Sequence, residues 1–179
     1  MNAANAITLV RIALVPVFMA IWYIAPWPAA FTVFLIASIT DKLDGYVARK
    51  YNLTSTFGKF IDPLADKLLI CAALLVLLEN GEVAAWAAAI ILIREFIVTS
   101  LRTVAMGEGK VIAASNTGKV KMVIQVVAIC VVLVPPVSHI ALGGVTVGDI
   151  FVWLMTAVTL WSGIEYCYVN RDVFKAAKK

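Results

Sequence analysis

Six long apolar runs, separated by short polar or proline-containing segments, dominate this sequence. The runs cover residues 6–24, 29–48, 60–78, 83–107, 118–136 and 150–169. A helix that crosses a bilayer needs about 20 apolar residues. The runs are continuous rather than alternating, which favours helices over the strands of a barrel. The chain is therefore predicted to be an all-α integral membrane protein with six transmembrane helices.

The composition excludes the other broad classes of protein. Of the 179 residues, 63% are hydrophobic and 15% are charged, whereas soluble domains are about one quarter charged. Disordered chains have the opposite composition. Six spans leave room only for short loops, so residues 1–179 are predicted to form a single domain. Cys71, Cys130 and Cys167 fall in different runs and are interpreted as packing residues.

The distribution of Lys and Arg predicts the orientation. If both termini are cytoplasmic, segments 49–59 and 107–121 are inner loops, and no Lys or Arg lies on an outer loop. Cytoplasmic loops of membrane proteins carry an excess of these residues. Both termini are therefore predicted to be cytoplasmic. The net charge of +4 is attributed to this orientation, and no nucleic-acid partner is expected.

Four aspartates are the most informative polar residues. Asp41 and Asp44 lie near the end of the second run, and Asp62 and Asp66 lie near the start of the third. Residues three or four apart share one face of a helix, and helices joined by a short loop pack as antiparallel neighbours. The four carboxylates are therefore predicted to converge near the inner membrane boundary.

Such a group of carboxylates favours a metal site. Converging carboxylates repel one another and are costly to desolvate, whereas Mg²⁺ and Mn²⁺ prefer oxygen ligands and commonly bridge to phosphates. Two such ions, Mg²⁺ or Mn²⁺, would suit a phosphoryl displacement. Gly45, Ala48 and Gly58 lie on the same faces and leave space for a ligand.

Two alternatives compete with this interpretation. The aspartates could form a solvated helix end in a membrane protein without chemistry. They could also serve a divalent-cation transporter, which uses carboxylates inside the membrane. A transporter predicts acids near the midplane on broken helices, whereas these four lie towards the inner end of their runs.

The spacing of these residues resembles a known family signature. The pattern Asp-x-x-Asp-Gly-x-x-Ala-Arg, followed after eight residues by Gly-x-x-x-Asp-x-x-x-Asp, resembles that of the CDP-alcohol phosphotransferases, and it runs from residue 41 to residue 66 without a departure. Residues 5–11 are similar to the family's Pro-Asn-x-x-Thr-x-x-Arg pattern, with Ala4 in place of the proline. The resemblance extends over nearly the whole chain and implies the fold and the homodimeric state of that family.

The resemblance also implies a reaction. CDP-diacylglycerol would donate a phosphatidyl group to a small alcohol and release CMP, at the cytoplasmic face of the bacterial inner membrane. The chain is most similar to members that use sn-glycerol 3-phosphate and make phosphatidylglycerophosphate. Inositol phosphate, serine and phosphatidylglycerol are the competing acceptors.

The family also implies roles for individual residues. Asp41, Asp44, Asp62 and Asp66 would hold the two metal ions, and Asp66 would also be the general base. The donor and its nucleotide would lie near Asn5, Thr8, Gly45, Ala48, Arg49 and Gly58. Asn5 and Thr8 could alternatively cap the first helix.

A phosphorylated acceptor needs a cationic pocket of its own, because Arg and Lys are the side chains that bind phosphate. The candidates are Arg94, Arg102, Lys119 and Lys121. For Arg94, a structural pair with Glu95 or with an aspartate is an equal alternative. For the other three, the alternative is a role as positive anchors at the inner surface. Lys67, beside Asp66, is expected to point to solvent.

Overall fold

The computed structural model describes the backbone of residues 3–50, 56–107 and 115–171. Side chains are described for residues 8–40, 64, 65, 67–103, 105 and 115–171. Six long helices lie within this part of the chain: α1 (Ala3–Ile24), α2 (Trp27–Lys50), α3 (Thr56–Glu79), α4 (Ala85–Gly107), α5 (Asn116–Val132) and α7 (Val147–Val169). Between the last two lie a short helix α6 (Pro135–Ser138) and two strands, β1 (Ala141–Leu142) and β2 (Val145–Thr146).

Each predicted apolar run forms one of the long helices, so the helical fold class is confirmed. Among the described residues, one helix, Val147–Val169, is long and apolar enough to cross a membrane by length and composition, and shorter apolar stretches cover Thr8–Ile24 and Trp27–Thr40. This composition fits an all-α membrane protein. The six crossings and the cytoplasmic termini stay predictions.

The loop at residues 139–148 contains a hairpin that the sequence analysis did not predict. Strands β1 and β2 pair in antiparallel register, with Ala141 opposite Thr146. Gly143 and Gly144, between the strands, both have positive φ, a conformation that glycine adopts without strain. Thr146 then caps α7, because its hydroxyl accepts the amide of Asp149 while the Asp149 carboxylate accepts the amide of Thr146.

Side-chain contacts bring the ends of several helices together beside this hairpin. We call this end of the helical bundle the hairpin end. Tyr23, at the end of α1, hydrogen-bonds Glu79, at the end of α3. Trp86 and Trp153, near the starts of α4 and α7, have ring centroids 4.9 Å apart. Helices α4 and α7 therefore run in the same direction. At the opposite end, which we call the motif end, α2 and α4 finish and α3 and α5 begin.

The core is apolar and joins all six long helices. Phe18 of α1 packs on Phe34 of α2 with ring centroids 5.9 Å apart. The same buried cluster includes Leu74, Ile91 and Ile129, from α3, α4 and α5. The buried polar residues among the described side chains lie on α1, α5, α6 and α7: Thr8, Arg11, Lys121, Gln125, Ser138, Thr156, Thr159 and Ser162.

Candidate active site

The eight motif positions lie on two helices near the motif end. Asp41, Asp44, Gly45, Ala48 and Arg49 belong to the last part of α2, and their side chains lie outside the described residues. Since α2 ends at Lys50, the first two lie within its last three turns.

The second half of the motif lies in the first half of α3, which contains Gly58, Asp62 and Asp66. Helix α1 packs extensively on both α2 and α3, whereas α2 and α3 share a smaller contact. Asn5 and Thr8 lie in the first part of α1, and the Thr8 side chain is buried. Among the described side chains, no group of three or more His, Cys, Asp or Glu residues could hold a metal ion; the four motif aspartates are not among them.

A charge network beside this region connects α4, α5 and α7. The Arg94 Nη1 donates to Glu95 Oε1 at 3.1 Å, and the Lys121 ammonium donates to the same oxygen. The Arg94 Nη2 donates to the Ser162 hydroxyl at 2.7 Å. The side chains of Lys121, Arg94 and Glu95 are 4%, 12% and 16% exposed. A buried lysine and a largely buried arginine therefore share one carboxylate.

Local sequence features hold this network in place. Gly163 leaves room for the stem of Arg94, because a Cβ at this position would lie 2.9 Å from Arg94 Cγ. The Arg94 stem also lines a cavity of about 400 Å³ between α4 and α7, with Ile97, Leu160 and Ile164 among its other walls. Ser115 caps the start of α5 by accepting the amide of Gly118 at 3.1 Å.

The four predicted acceptor cations fall into three different environments. Arg94 and Lys121 are joined through Glu95. The Arg102 guanidinium carbon lies 5.7 Å from the centre of the buried Tyr166 ring, and its Nε has no hydrogen-bond partner among the described residues. Lys119 is exposed on α5. The pairing of Arg94 with Glu95, one of its two predicted alternatives, is thus present, while phosphate binding by these cations stays a prediction.

The expectation that Lys67 points to solvent is wrong. Lys67 is half-buried on α3 and interacts electrostatically with both Glu95 and Lys121. Glu95 was predicted only as a partner for Arg94, and no role was predicted for Ser162 and Gly163. The sequence signal for these two residues was a serine next to a glycine within an apolar run. Small residues allow a long side chain from a neighbouring helix to approach closely.

Comparison with known proteins identifies the family. The family model for CDP-alcohol phosphatidyltransferase matches residues 1–161. This chain belongs to that family, as its motif predicted.

The relatives carry more specific names. The chain is 41% identical to the CDP-diacylglycerol--glycerol-3-phosphate 3-phosphatidyltransferase of Bacillus subtilis, over 98% of each chain. It is 33% identical to the Escherichia coli protein of the same name, over 95% of each chain. It is 39% identical to a probable phosphatidylglycerophosphate synthase of Mycobacterium tuberculosis, over 92% of this chain and 79% of that one.

Proposed function

We propose that this protein transfers the phosphatidyl group of CDP-diacylglycerol to sn-glycerol 3-phosphate, giving phosphatidylglycerophosphate and CMP. The observation that carries this proposal is the near full-length similarity to relatives that bear this activity in their names. It is supported by the unbroken motif between residues 41 and 66 and by the largely buried pair of cations on Glu95.

We propose that Asp41, Asp44, Asp62 and Asp66 hold two divalent ions, Mg²⁺ or Mn²⁺. The donor set fits, because four carboxylates supply only the hard oxygen ligands that these ions prefer. The helix bounds are compatible, since both pairs of aspartates lie towards the motif end of adjoining helices. When bound, the ions would offset the negative charge of the donor pyrophosphate and of the departing CMP.

The protein's own residues would supply binding, orientation and proton transfer. We assign the donor headgroup and nucleotide to the surroundings of Asn5, Thr8, Gly45, Ala48, Arg49 and Gly58. Gly45, Ala48 and Gly58 have no bulky side chain, so a nucleotide can approach the helix backbone there. Asp66 would accept the proton of the attacking hydroxyl, because a carboxylate within hydrogen-bond reach of that hydroxyl can act as a general base.

We propose that the cations Arg94, Arg102, Lys119 and Lys121 hold the acceptor phosphate. Among the described residues, Arg94 and Lys121 have only Glu95 as a counterion, so a positive charge is left over in a largely buried setting. Such a charge is costly unless an anion compensates it. A phosphate dianion provides that compensation, whereas an uncharged acceptor does not.

We also propose a six-span arrangement in the cytoplasmic membrane of a bacterium, with both termini and the active site at the cytoplasmic face. The alternating directions of the long helices and the absence of Lys and Arg from the predicted outer loops support it. The lipid tails of the donor could then stay in the bilayer while its headgroup meets a soluble acceptor. The functional unit would be a homodimer.

The test is an acceptor series with purified protein, CDP-diacylglycerol and Mg²⁺ or Mn²⁺. We expect CMP release with sn-glycerol 3-phosphate and none above background with inositol phosphate, serine or phosphatidylglycerol. CMP release with inositol phosphate but not with glycerol 3-phosphate would refute the proposed acceptor. CMP release that persists fully in Asp62→Asn would refute the proposed metal site.

A further inference from the structure

Glu95 is the point at which cations from several helices meet. Arg94 lies beside it on α4 and Lys121 reaches it from α5, and both donate to the same oxygen, Oε1. Lys67 of α3 adds a third positive charge nearby. We propose that Glu95 is a positioning residue that fixes Arg94 and Lys121 as a preformed clamp for the acceptor phosphate. This inference rests on the proposed function and deepens it.

A single shared oxygen fixes the distance between two cations that belong to different helices. Lys has a flexible four-carbon stem and acts as a point charge, so its location depends on what it binds. In this network the Lys121 ammonium is held by Glu95 and the side chain is 4% exposed. Without the carboxylate, the two cations would repel each other and Lys121 would lose the partner that draws it towards Arg94.

Arg94 is held on both sides and still keeps donors for a ligand. Its two Nη atoms bind Glu95 and Ser162, at 3.1 and 2.7 Å. Its Nε is buried and has no hydrogen-bond partner among the described residues. Because Glu95 and Ser162 fix the plane of the guanidinium, the direction of the remaining N–H groups is set before the acceptor arrives. Preorganisation of this kind lowers the cost of binding.

A purely structural role for Glu95 makes a different prediction. If the carboxylate only compensated buried charge, any carboxylate at this position would serve. If it positions the two cations, then a shorter carboxylate would fail, because it would keep the charge but withdraw the oxygen from Lys121. Glu95→Asp separates these two roles, and Glu95→Gln removes the charge while keeping the shape.

The experiment compares both variants with wild-type protein in steady-state assays and in inhibition by inorganic phosphate. We expect the KM for glycerol 3-phosphate to rise at least tenfold in Glu95→Gln and at least fivefold in Glu95→Asp. The inhibition constant of phosphate should rise in parallel, while the KM for CDP-diacylglycerol stays within twofold. Glu79→Gln is the matched control, since this glutamate lies at the hairpin end and bonds Tyr23; it should leave all of these constants unchanged.

Glu95→Asp decides the matter if Glu95→Gln fails to fold. An unchanged KM for glycerol 3-phosphate in folded Glu95→Asp would overturn the proposal, and so would wild-type protein that phosphate does not inhibit. Wild-type protein that uses a different phosphorylated acceptor would refute the proposed function alone. A weaker phosphate inhibition in the Glu95 variants would still support the positioning role in that case.

Discussion

Gly163 provides the space that the stem of Arg94 occupies against α7. An alanine Cβ at this position would lie 2.9 Å from Arg94 Cγ and 3.8 Å from Arg94 Cβ, whereas carbon atoms in good contact are about 3.5–4.0 Å apart. In Gly163→Ala the stem must therefore move away by roughly 0.5–1 Å. The hydrogen bond from Arg94 Nη2 to Ser162, now 2.7 Å long, would lengthen to roughly 3.2–3.7 Å, at or beyond the upper limit for such a bond.

The expected effects on stability and on binding differ in size. Replacing glycine by alanine within a helix stabilises the folded state by about 1 kcal/mol, whereas overpacking destabilises it by about 1–3 kcal/mol. The variant should therefore lose roughly 0–2 kcal/mol of stability and stay folded. A hydrogen bond to a charged group contributes about 1.5–3 kcal/mol. If Arg94 no longer reaches the acceptor phosphate, the KM for glycerol 3-phosphate should rise roughly 10- to 150-fold.

The assay measures CMP release against glycerol 3-phosphate concentration at saturating CDP-diacylglycerol, together with thermal unfolding in detergent. Gly148→Ala is the matched control, because it makes the same change on the same helix, where the new Cβ would meet Ser138 at 3.2 Å, far from Arg94. Its KM should equal that of wild-type protein. A folded Gly163→Ala variant with an unchanged KM would show that the position of Arg94 against α7 does not affect the binding of glycerol 3-phosphate. That result would contradict the proposed role of Arg94 in the acceptor site.

Three further predictions address the lysines of α5, the metal ligands and the cap of α7. Lys121→Met should raise the KM for glycerol 3-phosphate at least tenfold, and Lys119→Met should raise it less than threefold. The reason is that Lys121 is in the buried network whereas Lys119 is exposed. Equal effects of the two variants in steady-state kinetics would contradict this prediction. EDTA should abolish CMP release and added Mg²⁺ or Mn²⁺ should restore it, with Asp62→Asn and Asp66→Asn inactive at any metal concentration; full activity in EDTA would count against the metal site. Thr146→Ala should lower stability by about 1 kcal/mol through loss of the helix cap, seen as earlier thermal unfolding with an unchanged KM.

The helices were predictable because each one is marked by a long apolar run, which does not depend on the exact order of a few residues. The predicted run 6–24 corresponds to Ala3–Ile24, and the predicted run 150–169 corresponds to Val147–Val169. The differences lie at the ends, where polar residues such as Asp149 extend a helix by capping it. The hairpin was missed because strands of two residues are too short to alternate, although Gly143 and Gly144 carried a turn signal.

The placement of the four motif aspartates on two successive helices was predictable from the sequence, whereas the charge network was not. Spacing places residues on one face of one helix, but the partners of Arg94 lie on two helices, at Glu95 and Ser162. Which cation reaches a shared carboxylate depends on how three helices pack, and one sequence does not specify that. Lys119 and Lys121 looked equivalent in the sequence, yet only Lys121 is buried.

The most direct test of the proposed function is to identify the lipid product. Purified protein is incubated with CDP-diacylglycerol, a divalent ion and deuterium-labelled sn-glycerol 3-phosphate, and the lipids are analysed by mass spectrometry. We predict a phosphatidylglycerophosphate that carries the full label, in amounts equal to the CMP released. Release of CMP with phosphatidic acid and no labelled lipid would mean that water is the acceptor, and it would contradict the proposed transfer.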